Sequence, residues 1–207
     1  MKTIEDTLRE LPPPLVGSFG LLEKGKIEVR DSCVEMFKYL RREIDPRCVF
    51  EIGTHSGYSA AFFLTFTRAF VISVDIGKNW IGCDHSFSDW GVRCPGGLMK
   101  VTEVLRANFP GRFFQIISDS TNQEFKTKTK ENFNGLVDLA FIDGNHDYEY
   151  VLSDIMLMKE IGVKLFLLDD FGSDSVEKAI EDSSLKVTKI FESVHNSCNI
   201  NVGLCSV

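Results

Sequence analysis

Apolar residues fall along this chain in short blocks separated by longer amphipathic stretches. The blocks are CVFEIG (48–53), FVISVDI (70–76), FFQIISD (113–119), LVDLAFIDG (136–144) and KLFLLDDF (164–171). Each is apolar on both faces, the pattern of a strand covered on both sides, and each stops at a polar residue or a glycine. Between them the spacing becomes helical. Helices are expected over 59–69, over 97–109 with apolar residues at 98, 101, 104, 105 and 109, over 148–162 ending in a C-cap glycine, and over 173–183. An earlier helix is expected over 31–44, where Val34, Phe37, Leu40 and Ile44 recur at helical spacing behind Asp31 as N-cap. Strands alternating with helices predict a doubly wound α/β fold. The last two blocks, 186–194 and 199–207, are joined only by HNSC. That is too short for a crossover, so they form an antiparallel hairpin that closes a mostly parallel, seven-stranded sheet.

At 207 residues the chain makes about one domain, read here as 31–207, preceded by an N-terminal arm over 1–30. The arm contains the turn-rich LPPPLVGSFG (11–20) and either covers substrate or supplies a dimer contact in a homo-oligomer. GKNWIGCDHSFSDWGVRCPGG (77–97) is longer than a strand-to-helix connection needs. It is an insertion expected either to cover cofactor or shape a substrate pocket, or to be a surface excursion anchored by Trp80 and Trp90. The net charge of −7 argues against a general nucleic-acid partner. The one basic run, KTKTK (126–130), is expected on a solvated helix face. Six cysteines without a CxxC pair, no signal peptide and no apolar run of membrane-spanning length predict reduced thiols in a cytoplasmic protein with no membrane partner. Cys83, His85 and Cys94 match no common zinc-ligand spacing.

The candidate chemistry sits where the blocks stop. VFEIGTHSGYS (49–59) is a strand, a tight turn and a helix start, with Gly53 and Gly57 letting backbone approach a ligand at the carboxyl end of the strand. Its G-x-x-x-G spacing is neither the dinucleotide fingerprint nor a phosphate loop. Glu51, just before the turn, suits a positively charged ligand group. Asp75 ends the next strand, placed for a ribose diol, and the SDS at 118–120 ends the one after, where an adenine amino group could be met. A ligand carrying an amino-acid cation, a ribose and an adenine fits all three, and that ligand is S-adenosylmethionine.

The series EIGTHSGYS, SVD, SDS and FIDG, with the terminal hairpin, resembles the class I S-adenosylmethionine-dependent methyltransferases over residues 48–207. The resemblance implies that Glu51, Gly53, Thr54, Ser56 and Gly57 line the methionine end, that Asp75 holds the ribose, and that Asp119 and Ser120 approach the adenine.

FIDGNHDYEY (141–150) contains the GNHD of dinuclear phosphoesterases, but that chemistry needs a D-x-H and further histidines, and the chain has only His55, His85, His146 and His195. Asp143 and the pair Asp169 and Asp170 instead end neighbouring blocks, and like charges gathered there call for a divalent cation, Mg²⁺ or Mn²⁺ given oxygen ligands. IDGNHDYEYV followed by DD resembles the metal-dependent small-molecule O-methyltransferases and the cephalosporin-hydroxylase-like proteins. That resemblance makes Asp143, Asp169 and Asp170 the metal ligands; catechol-type relatives differ in carrying Asp-Asn at the last pair and no histidine. The cation would acidify a substrate hydroxyl, with His146 the candidate base and Asp143 its alternative. His146 could instead hold a ligand carboxylate or cap the next helix. The expectation is therefore Mg²⁺-dependent O-methylation of a small hydroxylated acceptor of sugar, polyketide or phenolic type. A non-catalytic partner protein on the same fold and a Rossmann oxidoreductase are the competing readings.

Overall fold

The computed structural model describes residues 3–11, 20–23, 26–29, 31–77, 95–195 and 198–207. Most of the 77–97 insertion, with Cys83, His85 and Cys94, lies outside them, as does most of 11–20. The elements are α1 (Ile4–Glu10), β1 (Gly20–Glu23), β2 (Lys26–Val29), α2 (Asp31–Tyr39), β3 (Cys48–Ile52), α3 (Tyr58–Phe66), β4 (Phe70–Asp75) and α4 (Pro95–Asn108). They continue with β5 (Phe113–Ile117), α5 (Gln123–Phe133), β6 (Leu139–Ile142), α6 (Tyr148–Glu160), β7 (Leu165–Leu168), α7 (Asp174–Asp182), β8 (Lys186–His195) and β9 (Cys198–Ser206). The main sheet has seven strands in the order β5-β4-β3-β6-β7-β9-β8. Strands β3 to β7 are parallel, and β9 runs antiparallel between β7 and β8. The expected sheet and its closing hairpin are therefore both present.

Both faces of the sheet are covered, which is why its strands read as unbroken apolar runs. Val49, Val71, Phe141 and Leu167 join a core with α1 to α4, while Phe50, Ile72, Ile142 and Leu168 join one with α5 to α7. Helix α3 is buried at every residue from Tyr58 to Leu64 because α1 and α2 pack on it as well as the sheet. Phe37 of α2 meets Phe63 edge-on at 4.8 Å and Phe62 at 5.2 Å, the geometry aromatic rings prefer.

Two features differ from the sequence expectation. The first residues are more than an arm. Thr3 and Asp6 form a capping box that starts α1, and Ile4, Leu8 and Leu11 are buried in the core. Helix α2 also ends in a wider turn, Leu40–Ile44, closed by the Asp45 N–H on the Leu40 carbonyl with Asp45 at φ 47°. Among the described residues no helix is long and apolar enough to cross a membrane. Cys48 and Cys205 are free thiols.

Candidate functional site

The chain crosses from one half of the sheet to the other beside β3, and open α/β sheets bind ligands at such a switch. Register decides what meets there. Ile52 pairs with Val74 on one side and Ile142 on the other, and Ile142 pairs with Leu168. One residue further along each strand, Asp75, Gly53, Asp143 and Asp169 stand in a single row. Main-chain bonds extend the ladders to that row: Gly53 N–H to Val74 at 2.8 Å, Asp143 N–H to Ile52 at 2.8 Å and Asp169 N–H to Ile142 at 3.0 Å.

Gly53 is required by this row. At φ 100° it holds a conformation side chains rarely adopt, and a Cβ there would sit 2.0 Å from the Asp143 carbonyl oxygen. Gly57, at φ 79°, lets α4 close in, since its Cβ would meet Val101 at 2.5 Å. The close approach at these glycines is backbone to backbone and helix to loop, where the sequence pointed to approach to a ligand.

The acids divide into buried and accessible. Glu51 is wholly buried, and both Ser59 and Ser73 donate to its carboxyl. Burial pushes its pKa up to about 8, the two hydroxyls opposing and the charges of Asp143 and Asp75 adding to the rise. Thr54 and Ser56 are also buried, so their side chains lie within the loop's packing. Asp75 is half-buried and holds the loop: Oδ2 accepts from Thr54 N–H at 3.1 Å and His55 N–H at 2.9 Å, and Oδ1 from Gly77 N–H at 2.9 Å. Asp119 closes a local turn through Thr121, and Ser120 bonds to Asp154 of α6.

The raised pKa of Glu51 makes a stability prediction. The folded state keeps a proton that the unfolded chain releases near 4.5, so this contribution is full below that pH and is lost as pH rises through about 8. Glu51→Gln, which mimics the protonated acid, should flatten that part of the profile. At pH 9 it should exceed the parent by on the order of 5 kcal/mol in urea denaturation. Equal pH dependence of the two proteins would show that Glu51 is ionised in the fold.

At the other end of the row one ligand atom each from Asp143, His146 and Asp169 lie within 4.8 Å of one another. Asp170 is outside that group. Its backbone turns left-handed at φ 50°, and its carboxylate accepts from His146 Nδ1 at 2.7 Å. His146 is itself held, its carbonyl accepting from Ser175 Oγ at 2.7 Å, and its Nε2 lies 3.5 Å from Asp143 Oδ1. Asp169 is 4% exposed, and burial, the Asp143 charge and a hydrogen bond to Asp143 hold its carboxyl well above the usual range. Asp170 is held low by His146. Burial favours neutral His146, but hydrogen bonds to Asp143 and Asp170 with their charges outweigh it and push the imidazole up to about 10. Protons thus balance the charge of this cluster. A divalent cation would do the same, and the two carboxylates suit Mg²⁺ or Mn²⁺.

The basic run 126–130 lies on α5 as expected, and its charges are met locally. Lys128 pairs with Glu124, Lys130 with Glu160, and Lys126 donates to Ser153. The contribution missed in the sequence is that of the residues behind the glycine loop, Ser59, Ser73 and Gln115, which strand periodicity alone assigns to packing.

Residues 50–162, more than half of the chain, match the family model described as a methyltransferase domain. No curated protein matches the chain. Among solved structures, an O-methyltransferase from Bacillus cereus in complex with S-adenosylhomocysteine superposes with a TM-score of 0.60 at 12% identity, over 87% of this chain and 83% of that one. Aeropyrum pernix fibrillarin with natively bound S-adenosylmethionine gives 0.56 at 13%, over 93% and 84%. A putative RNA methyltransferase from Pyrococcus horikoshii gives 0.56 at 14%, over 84% and 80%. At these identities the likeness establishes a shared fold.

Proposed function

The chain belongs to the methyltransferase-domain family, and from that premise we propose that it is an S-adenosylmethionine-dependent, divalent-metal-dependent O-methyltransferase acting on a small hydroxylated acceptor. The observation that carries this reading is the row Asp75, Gly53, Asp143, Asp169. It sets an acceptor for a ribose diol and a cation-binding cluster on the same crevice, about three strand spacings or roughly 14 Å apart.

The residues fit both groups. Asp75 ends β4 half-buried, and three N–H groups take three of its carboxylate's about four acceptor sites, which leaves one on Oδ1 to meet a ribose hydroxyl. Asp119 and Ser120 follow on the next strand end, toward the adenine. Glu51 acts from beneath the loop, by holding it. When bound, S-adenosylmethionine supplies a sulfonium methyl as electrophile. Asp143 and Asp169 would hold a divalent cation, whose Lewis acidity would lower a hydroxyl's pKa.

His146 and Asp170 then form a base and its orienting partner. Asp170 holds Nδ1–H, which leaves Nε2 facing the carboxylates. In the ligand-free protein Asp143 and Asp170 keep the ring protonated. With the Asp143 charge engaged by a cation, its share of that cause would be removed while Asp170 still orients the ring, and Nε2 would be released to take a hydroxyl proton. This assigns Asp170 to orienting the imidazole and Asp143 to ligation. The acceptor is read as small because the net charge is −7 and the α5 lysines are locally compensated.

Calorimetric titration with S-adenosylhomocysteine and with NAD⁺, each with Mn²⁺ or Mg²⁺ and with chelator, tests the proposal. Micromolar binding of S-adenosylhomocysteine and none of NAD⁺ is expected, with a heat change linked to the metal. Binding of NAD⁺ instead would make the protein an oxidoreductase, and binding of neither by folded protein would favour a partner protein. Transfer of labelled methyl to RNA but not to vicinal diols would overturn the acceptor class.

A further inference from the structure

Behind the glycine loop a line of polar side chains crosses the sheet. Glu51 and Ser73 are 0% exposed and Thr54 is 1% exposed. Ser73 Oγ is hydrogen-bonded to the Glu51 carboxyl. Thr54 Oγ1 lies 2.6 Å from Ser73 Oγ, so the two hydroxyls share a hydrogen bond. Gln115 Nε2 in turn donates to Thr54 Oγ1 at 2.9 Å and to the Ser73 carbonyl at 3.1 Å. The chain is continuous, from Gln115 on edge strand β5 through Thr54 and Ser73 to Glu51 on β3. Thr54 is thereby held through its side chain on one side and through its N–H on Asp75 on the other.

The next residue explains why such a hold is needed. His55 has φ 45°, a left-handed conformation that a non-glycine residue keeps only where its surroundings impose it. Its N–H and that of Thr54 both point at Asp75 Oδ2. If Thr54 were released, the 54–55 turn could relax and Asp75 would lose two of its three donors.

We infer that Ser73 and Gln115 are positioning residues for cofactor recognition, holding Thr54 and through it the Asp75 carboxylate in the orientation that meets the ribose. The inference rests on the cofactor reading above and adds two residues that lie behind the loop, outside the row of strand-end acids.

The test compares Ser73→Ala, Gln115→Ala and the double variant, each alone and combined with Asp75→Ala, by titration with S-adenosylhomocysteine. Each single change should weaken binding about tenfold, the size of one well-placed buried hydrogen bond. The double should be no weaker than either single, because breaking one link breaks the chain. In the Asp75→Ala background neither change should cost anything further. Lower thermal stability with unchanged affinity, or losses that add to that of Asp75→Ala, would overturn the inference. Gln115 is on an edge strand and only partly buried, so Gln115→Ala keeps the test open if Ser73→Ala does not fold. Amide exchange at Thr54 and His55 in the ligand-free protein is the second readout. It should quicken in both variants, and unchanged exchange would overturn the hold. If the parent protein binds no S-adenosylhomocysteine, the cofactor reading falls while exchange still decides the hold.

Discussion

Gly53→Ala is expected to destabilise the protein by ~3–5 kcal/mol and to abolish binding at the crevice. Two costs combine. The residue sits at φ 100°, where an L side chain is strained, and its Cβ would lie 2.0 Å from the Asp143 carbonyl oxygen and 2.5 Å from the carbonyl carbon. Those are main-chain atoms fixed by the β3–β6 ladder, so they cannot rotate away, and either β6 or the loop must shift. Gly111→Ala supplies the comparison. Gly111 has φ 74° with nothing within 4 Å of its added Cβ, so it carries the strain alone and should cost about 1–2 kcal/mol. Urea denaturation of both variants checks this. Equal losses would show that the strands separate freely at the switch and that the row is loosely held.

Asp169→Asn is expected to leave the fold as stable as the parent and to remove the response to divalent cations. In the ligand-free protein burial and Asp143 already keep Asp169 above the usual carboxylate range, so a neutral amide resembles its resting state. Metal affinity should fall by more than the about 10–100-fold that follows loss of a ligand's hydrogen-bond partner. Methyl transfer, if it follows the proposed route, falls with it. Thermal denaturation and Mn²⁺ titration give the two readings separately. A Mn²⁺ response equal to that of the parent would take Asp169 out of the cation site.

Fold and site differed in how far they could be read from the residues. Blocks such as FVISVDI and LVDLAFIDG are apolar on both faces only if helices cover both, so the doubly wound sheet was legible in them. The four-residue link HNSC forced the closing hairpin. The acids at strand ends were legible because each strand carries its last residue to the same edge of the sheet. The start of the chain was less so: Pro-rich 11–20 drew attention to an arm, while the capping box at Thr3 and Asp6 that begins α1 went unread.

The amino-acid sequence by itself determined the strand–helix alternation, the glycine turn, and the acids at the ends of β4, β6 and β7, because periodicity and chain stops are local properties. Only the tertiary structure decided which of those acids work together. Register put Asp143 beside Asp169, and a left-handed turn at Asp170 sent its carboxylate to His146 instead of into the same group. Burial made Glu51 the end of a hydrogen-bonded chain beneath the loop. Each of these depends on neighbours well apart in the chain, as Glu51 and Ser59 are at 8 positions and Ser73 and Glu51 at 22. No local pattern encodes such distances, because they are set by how strands from separate parts of the chain align when the sheet forms.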